Sequence, residues 1–163
     1  MAGATAVALA GLVAGCGARA APDQPGAASV VRVVDGDTVE VVVAGQHETV
    51  RLLGIDTPET LAPGRPVECF GPEATAFLQE LLPEGTAVEL ARDTEARDRF
   101  GRLLAYVTRA DDQLFVNAAV AAGGYADVLV LAPNTARAGE LVAAVADAKA
   151  RGAGRWSACP AGP

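Results

Sequence analysis

Between Val30 and Leu53 the density of β-branched residues leaves little choice of local structure. Val30, Val31, Val33 and Val34 lead into Asp35-Gly36-Asp37, after which Val39, Val41 and Val43 alternate with Thr38, Glu40 and Val42. A period of two sends successive side chains to opposite faces, and branching at Cβ stiffens χ1, so these runs read as strands. Ala44-Gly45 makes a hairpin turn and His47 to Leu53 returns. The segment therefore predicts three antiparallel strands, with His47 as an exposed strand residue.

Downstream, Leu61 to Phe70 reads as a loop because Pro63, Gly64 and Pro66 block regular structure. Pro72 marks a helix start, and Ala76, Phe77, Leu81 and Leu82 supply an apolar stripe that Pro83-Glu84-Gly85 ends. Thr86 to Ala91 and Arg102 to Val107 read as strands, joined by the turn Asp98-Arg99-Phe100-Gly101. Phe115 to Ala122 and Thr135 to Ala150 read as helices, the second with Leu141 and Val145 inward; Trp156 is expected to anchor the tail by packing. Five strands with helices inserted and appended predict an α+β fold built on a small closed β-barrel of the OB type.

The opening residues belong to something else. Met1 to Gly15 carry no charge and are too few to span a bilayer, which takes roughly 20 apolar residues. They have the length of a signal-peptide apolar region, and Val13-Ala14-Gly15-Cys16 resembles the bacterial lipobox, with Cys16 as the lipidation site. The expectation is a signal peptide over 1–16, a Gly/Ala/Pro-rich tether over 17–28 and a folded domain over 29–159. The protein would then be exported, and either held at the outer face of the membrane through Cys16 or secreted.

Composition removes several kinds of chemistry. Thirteen basic against twenty acidic residues leave a net charge of −7, so a broad cationic grip on nucleic acid is excluded. A phosphate site must be a local group of arginines. A single histidine excludes multi-histidine zinc sites and paired-histidine phosphodiester chemistry. The three cysteines include no CxxC, which excludes a zinc ribbon. With Cys16 lipidated, Cys69 and Cys159 are an even pair, and outside the cell they are expected to form a disulfide.

The chemistry concentrates in Asp35-Gly36-Asp37-Thr38, in Arg51 through Glu59, and in Asp98-Arg99-Phe100-Gly101-Arg102. Phosphodiester hydrolysis requires cations on the phosphate oxygens, a base for water and often a hard metal. Asp37 and Asp56 are hard oxygen donors suited to Ca²⁺ or Mg²⁺. Glu59 follows the rigid Thr57-Pro58, beside such a metal and able to take a proton. Arg51 and Arg102 lie on different strands and carry guanidinium forks that match phosphate oxygens.

These segments resemble the staphylococcal-type thermonuclease family. Its motifs are matched by DGDT at 35–38, RLLGIDTPE at 51–59, ECFGPEA at 68–74 and DRFGRLLAYV at 98–107, in the family's order. The resemblance implies a five-stranded OB-fold barrel with three helices. It implies a monomeric, Ca²⁺-dependent endonuclease acting on DNA and RNA, breaking the 5′ P–O bond to leave 3′-phosphates. Arg51, Glu59 and Arg102 would be catalytic; Asp37 and Asp56 would ligate calcium by carboxylate and Thr57 by its backbone carbonyl. Arg65, Arg99 and Phe100 are candidate substrate contacts.

Two positions depart from the family type. Phe100 stands where the type has tyrosine, and Val128-Leu129-Val130-Leu131 replaces a stretch whose tyrosines flank a base. A stacked base is worth roughly 1–3 kcal/mol, so base affinity is expected to fall. Tyr125 is in the wrong register to replace them. Two other function classes remain: a catalytically weak OB module that binds nucleic acid, and an envelope interaction lipoprotein.

Overall fold

The computed structural model describes residues 26–60, 64 and 66–159. The expected signal peptide with Cys16, residues 17–25 of the expected tether and Arg65 lie outside the described residues. Five strands close a barrel: β1 (Gly26–Asp35), β2 (Thr38–Val43), β3 (Gln46–Leu52), β5 (Ala87–Ala91) and β6 (Leu103–Arg109), in the order β1-β2-β3-β6-β5. β4 (Gly54–Asp56) and β7 (Asp127–Leu129) form a separate antiparallel pair. The helices are α1 (Gly71–Leu81), α2 (Val116–Ala122), α3 (Ala138–Arg151) and the single turn α4 (Arg155–Ala158).

The valine alternation does what its period demands. Val30, Val39, Val41, Val50 and Leu52 point inward and are essentially inaccessible, joined by Val88, Leu90, Ala105 and Val107 from β5 and β6. Each buried aliphatic side chain contributes about 1.5–3 kcal/mol by leaving water. Leu78 from α1 and Leu82 at its C-terminal cap, Val116 and Val120 from α2, and Leu141 and Val145 from α3 pack around this barrel.

Strands β3 and β6 are parallel, with Arg51 opposite Leu104 and Leu52 opposite Ala105. Leu52 and Ala105 are buried in the barrel, so Arg51 and Leu104 face outward. The chain entering β6 thus brings Arg102 alongside the outer face that carries Arg51.

Several boundaries differ from the sequence reading, each for a physical reason. The strand begins at Gly26, inside the expected tether, because residues 26–29 pair with Leu90 to Ala87 of β5. The buried face of α1 is Ala74, Leu78 and Leu82, whereas Ala76 is exposed and Phe77 and Leu81 are half-buried. The third helix starts at Ala138, not Thr135, because the Asp93 carboxylate captures the Ala136 N–H (2.8 Å) in the preceding turn. α4 adds a fourth helical segment to the expected three.

The Cys69–Cys159 disulfide is present, with Cα atoms 5.9 Å apart and a sequence separation of 90. In the chain-entropy view, closing a loop of that length stabilises by about 4–5 kcal/mol. Trp156 packs against the core, flanked by Lys149 (4.3 Å from the ring centroid) and Arg155 (5.0 Å). Tyr125 stacks on Phe77 (4.1 Å) and Phe70 (5.3 Å), so its ring belongs to the packing. His47 is exposed, as its place after the hairpin requires.

Candidate active site

The turn between β1 and β2 is pressed against the chain leaving β4. A Cβ on Gly36 would lie 2.7 Å from Thr57 Oγ1 and 2.9 Å from the Ala74 Cβ, so only glycine permits this approach. The closeness lets Asp37 reach Thr57. Asp37 Oδ2 accepts from the Thr57 N–H (3.0 Å) and hydroxyl (3.1 Å), and Oδ1 accepts from the Thr38 hydroxyl (3.1 Å). β4 is placed from the other side: a Cβ on Gly54 (φ +78°) would strike Leu141 Cδ1 at 2.3 Å.

Arg51 joins these segments. Its Nη1 donates to the carbonyls of Leu52 (2.7 Å) and Ile55 (2.8 Å), Nη2 donates to Asp56 (2.8 Å), and Nε lies 3.0 Å from Asp37. The side chain is only 13% exposed. Nη1 is fully committed, so the Nε–Nη2 edge is what remains to grip a phosphate, and it carries two carboxylates. Asp35 is the next acid in the cluster; burial first, and then repulsion from Asp37, push its pKa above the ordinary value.

Arg102 is held differently. Its Nε donates to Asp98 Oδ2 (2.7 Å), and Asp98 Oδ1 accepts from the N–H groups of Arg102 (3.0 Å) and Phe100 (2.9 Å). Burial works to raise the Asp98 pKa, but the Arg102 guanidinium and these N–H groups outweigh it and hold the carboxyl below its usual range. Neither Nη of Arg102 has an acceptor among the described residues. The Phe100 ring is 69% exposed, with the guanidiniums of Arg99 and Arg102 at 4.7 and 5.6 Å from its centroid.

Glu59 is half-buried, and its Oε1 accepts from the Thr60 N–H (2.9 Å). An open cleft of about 920 Å³ is lined by Asp37, Arg51, Asp56, Thr57, Glu59 and Arg102 together, and also by Arg99 and Phe100. All the sequence-derived site residues that are described, apart from the disulfide cysteines, therefore meet in one place. Sequence reasoning missed Asp98 and Asp35, although both lie inside quoted motifs. The spacing of Asp98 four residues before Arg102 was the available signal. The exposed Leu129 and Leu131, from the stretch that departs from the family type, line the same cleft.

Among the described residues no three His, Cys, Asp or Glu side chains are gathered tightly enough to hold a metal ion alone. Two carboxylates and a carbonyl still suit a hard cation that keeps water in its remaining positions. Charge points the same way: Asp35, Asp37 and Asp56 surround a single guanidinium. The residues present fit such a cation.

A family model described as "Staphylococcal nuclease homologue" matches residues 49–158. The chain is 39% identical to an uncharacterized protein of Bacillus anthracis over 78% of this chain and 59% of the relative. It is 42% identical to the thermonuclease of Staphylococcus intermedius over 64% of this chain and 61% of the relative. It is 44% identical to an endonuclease of Bacillus subtilis over 47% of this chain and 36% of the relative. The chain thus spans less than two thirds of the length of each of these relatives.

Proposed function

The chain belongs to the staphylococcal nuclease homologue family, and on that premise we propose that it is a calcium-dependent endonuclease that hydrolyses phosphodiester bonds of DNA and RNA. The observation that carries this reading is the open Nη pair of Arg102, in one cleft with Arg51 and Glu59. An arginine pinned through Nε and free at Nη1 and Nη2 presents a fork of donors to a tetrahedral phosphate. Glu59 accepts the proton of the attacking water as its oxygen bonds to phosphorus. The 5′ P–O bond breaks, the leaving 5′-oxygen takes a proton from solvent water and departs as a 5′-hydroxyl, and the phosphate stays on the 3′ side. Arg51 and Arg102 bear on the charge that builds on the phosphoryl oxygens.

Asp37, Asp56 and the Thr57 carbonyl would hold calcium, which supplies positive charge for the phosphate. Arg51 adds a coupling. Its Nε–Nη2 edge is engaged by the same two carboxylates that the cation would draw on. Phosphate binding at Arg51 and cation binding at Asp37 and Asp56 are therefore favourable to each other.

Export is part of the proposal. The apolar N-terminal segment ending in Cys16 supports it, as does the Cys69–Cys159 disulfide, a bond that persists in oxidising compartments. Membrane tethering would follow from lipidation of Cys16.

The test is cleavage of labelled single-stranded DNA and RNA by the exported protein in Ca²⁺ and in chelator, with end-group analysis of the products. Expected are Ca²⁺-dependent cleavage with 3′-phosphate ends and its loss by orders of magnitude in Glu59→Gln. Equal cleavage in chelator would refute the metal requirement. Binding without cleavage in Ca²⁺ would return the chain to the class of nucleic-acid-binding OB modules.

A further inference from the structure

The Glu59 carboxylate accepts from the neighbouring Thr60 N–H (2.9 Å), which ties its position to the backbone of this turn. Both polar groups of the Glu59 backbone end on one residue. The Glu59 N–H donates to Glu68 Oε2 (3.1 Å), and the Glu68 N–H donates to the Glu59 carbonyl (2.9 Å). The other side is walled by the start of α1. A Cβ on Gly71 would lie 2.7 Å from Thr60 Cγ2, 3.1 Å from the Pro58 carbonyl and 3.2 Å from that of Glu59.

The next residue along explains what holds Glu68. Cys69 is covalently bonded to Cys159 at the end of α4, whose N–H is bonded to the Arg155 carbonyl (3.0 Å), next to Trp156 on the core. The Glu68 carbonyl accepts from the Gly71 N–H (3.1 Å), fastening the same turn to the helix. Glu68 itself is exposed, so the bond its carboxylate accepts is not needed to satisfy a buried carboxylate.

We infer that Glu68 is a positioning residue for Glu59, anchored in that role by the Cys69–Cys159 disulfide. The inference rests on the reading of Glu59 as the proton acceptor. A displacement of about 1 Å in a reacting group costs on the order of 10²-fold in rate. Loss of one of the two bonds on the Glu59 backbone falls within that range.

The experiment measures kcat and KM of the full exported chain on a single-stranded DNA oligonucleotide in saturating Ca²⁺, with thermal unfolding in parallel. Glu68→Ala is expected to lower kcat about 10- to 100-fold, with KM and the thermal midpoint nearly unchanged. Glu68→Gln keeps an oxygen acceptor for the Glu59 N–H and is expected to recover kcat to within about 3-fold of wild type. The double variant Cys69→Ser/Cys159→Ser, assayed where it is folded, is expected to lower kcat by a smaller factor in the Glu68→Ala background than in wild type.

Wild-type kcat in Glu68→Ala, a rise in KM alone, or equal loss in Glu68→Ala and Glu68→Gln would each overturn the inference. Glu59→Gln in the same assay separates the two levels of argument. Full activity there defeats the catalytic reading; loss of activity there beside unchanged Glu68→Ala defeats only the positioning role.

Discussion

Replacing Arg102 by lysine keeps the charge and removes the geometry, so it isolates what the open Nη pair contributes. In the wild type, Nε is spent on Asp98 (2.7 Å) and two further nitrogens stay available to a phosphate. A lysine ammonium at this site pairs with the same Asp98 carboxylate and has no second, planar edge to offer. Removing one preorganised donor to a charge that develops in the transition state costs about 2.7–4 kcal/mol, or 10²–10³ in kcat. Arg102→Ala is therefore expected to lose at least that factor, and Arg102→Lys to regain no more than about tenfold of it. Single-turnover cleavage of a labelled oligonucleotide at saturating Ca²⁺ reads the chemical step directly, and thermal unfolding shows that the barrel is intact. Arg102 is about one-third exposed and lies outside the core, so the thermal midpoint is expected to stay close to wild type. A lysine variant within threefold of wild type would show that charge alone suffices. An alanine variant with altered binding and unchanged kcat would remove Arg102 from the transition state altogether.

Two further predictions concern what holds the site in place. Asn117 is fully buried, accepts from the Val107 N–H (2.9 Å) and donates to the Leu53 carbonyl (2.8 Å); Asn117→Ala strands both groups at about 1–3 kcal/mol each, and a urea-unfolding loss below about 1 kcal/mol would refute the bridge. The folded pKa of Asp98 lies below its ordinary 3.8, so its stabilising contribution is complete above that value and is lost as pH falls through the lower folded value. The thermal midpoint of Asp98→Asn is therefore expected to fall less steeply than wild type below about pH 4. Parallel acid profiles would contradict the linkage.

How much of this could be read in advance depends on whether the signal is local. The valine alternation from Val30 to Leu53 is a property of consecutive residues, and it delivered the first three barrel strands. The parallel pairing of β3 with β6 joins Val50–Leu52 to Leu103–Ala105, and no periodicity carries it. β4 has three residues, too few for any period to show, and Val128-Leu129-Val130-Leu131 is apolar throughout, so the β4–β7 pair was invisible. The start of α3 was misjudged because a carboxylate at Asp93, 43 positions away, intercepts a backbone N–H. The candidate site residues were legible as motifs, since phosphodiester chemistry asks for those residue types. Their commitments were not: that Arg51 is engaged on every side while Arg102 is half free is a fact of three-dimensional neighbours.

The acidity of the chain acquires a meaning at the cleft. The sequence asks for a local group of arginines in an acidic body, and the described lining holds one, set among a larger number of carboxylates. Arg51, Arg97, Arg99 and Arg102 face Asp35, Asp37, Asp56, Glu59, Glu95 and Asp98. Arg97 is further withdrawn by two bonds to Glu48 (2.7 and 2.9 Å). Four guanidiniums against six carboxylates leave a cleft that repels a polyanion, and repulsion in a partly desolvated site is stronger than in open water. One divalent cation at Asp37 and Asp56 would bring that balance to zero and relieve Arg51 of its carboxylates in the same event. An acidic protein of this design has little affinity for nucleic acid through its bulk charge. Under the proposed function it would gain that affinity where a cation sat at Asp37 and Asp56, and binding and hydrolysis would then both depend on a single ion.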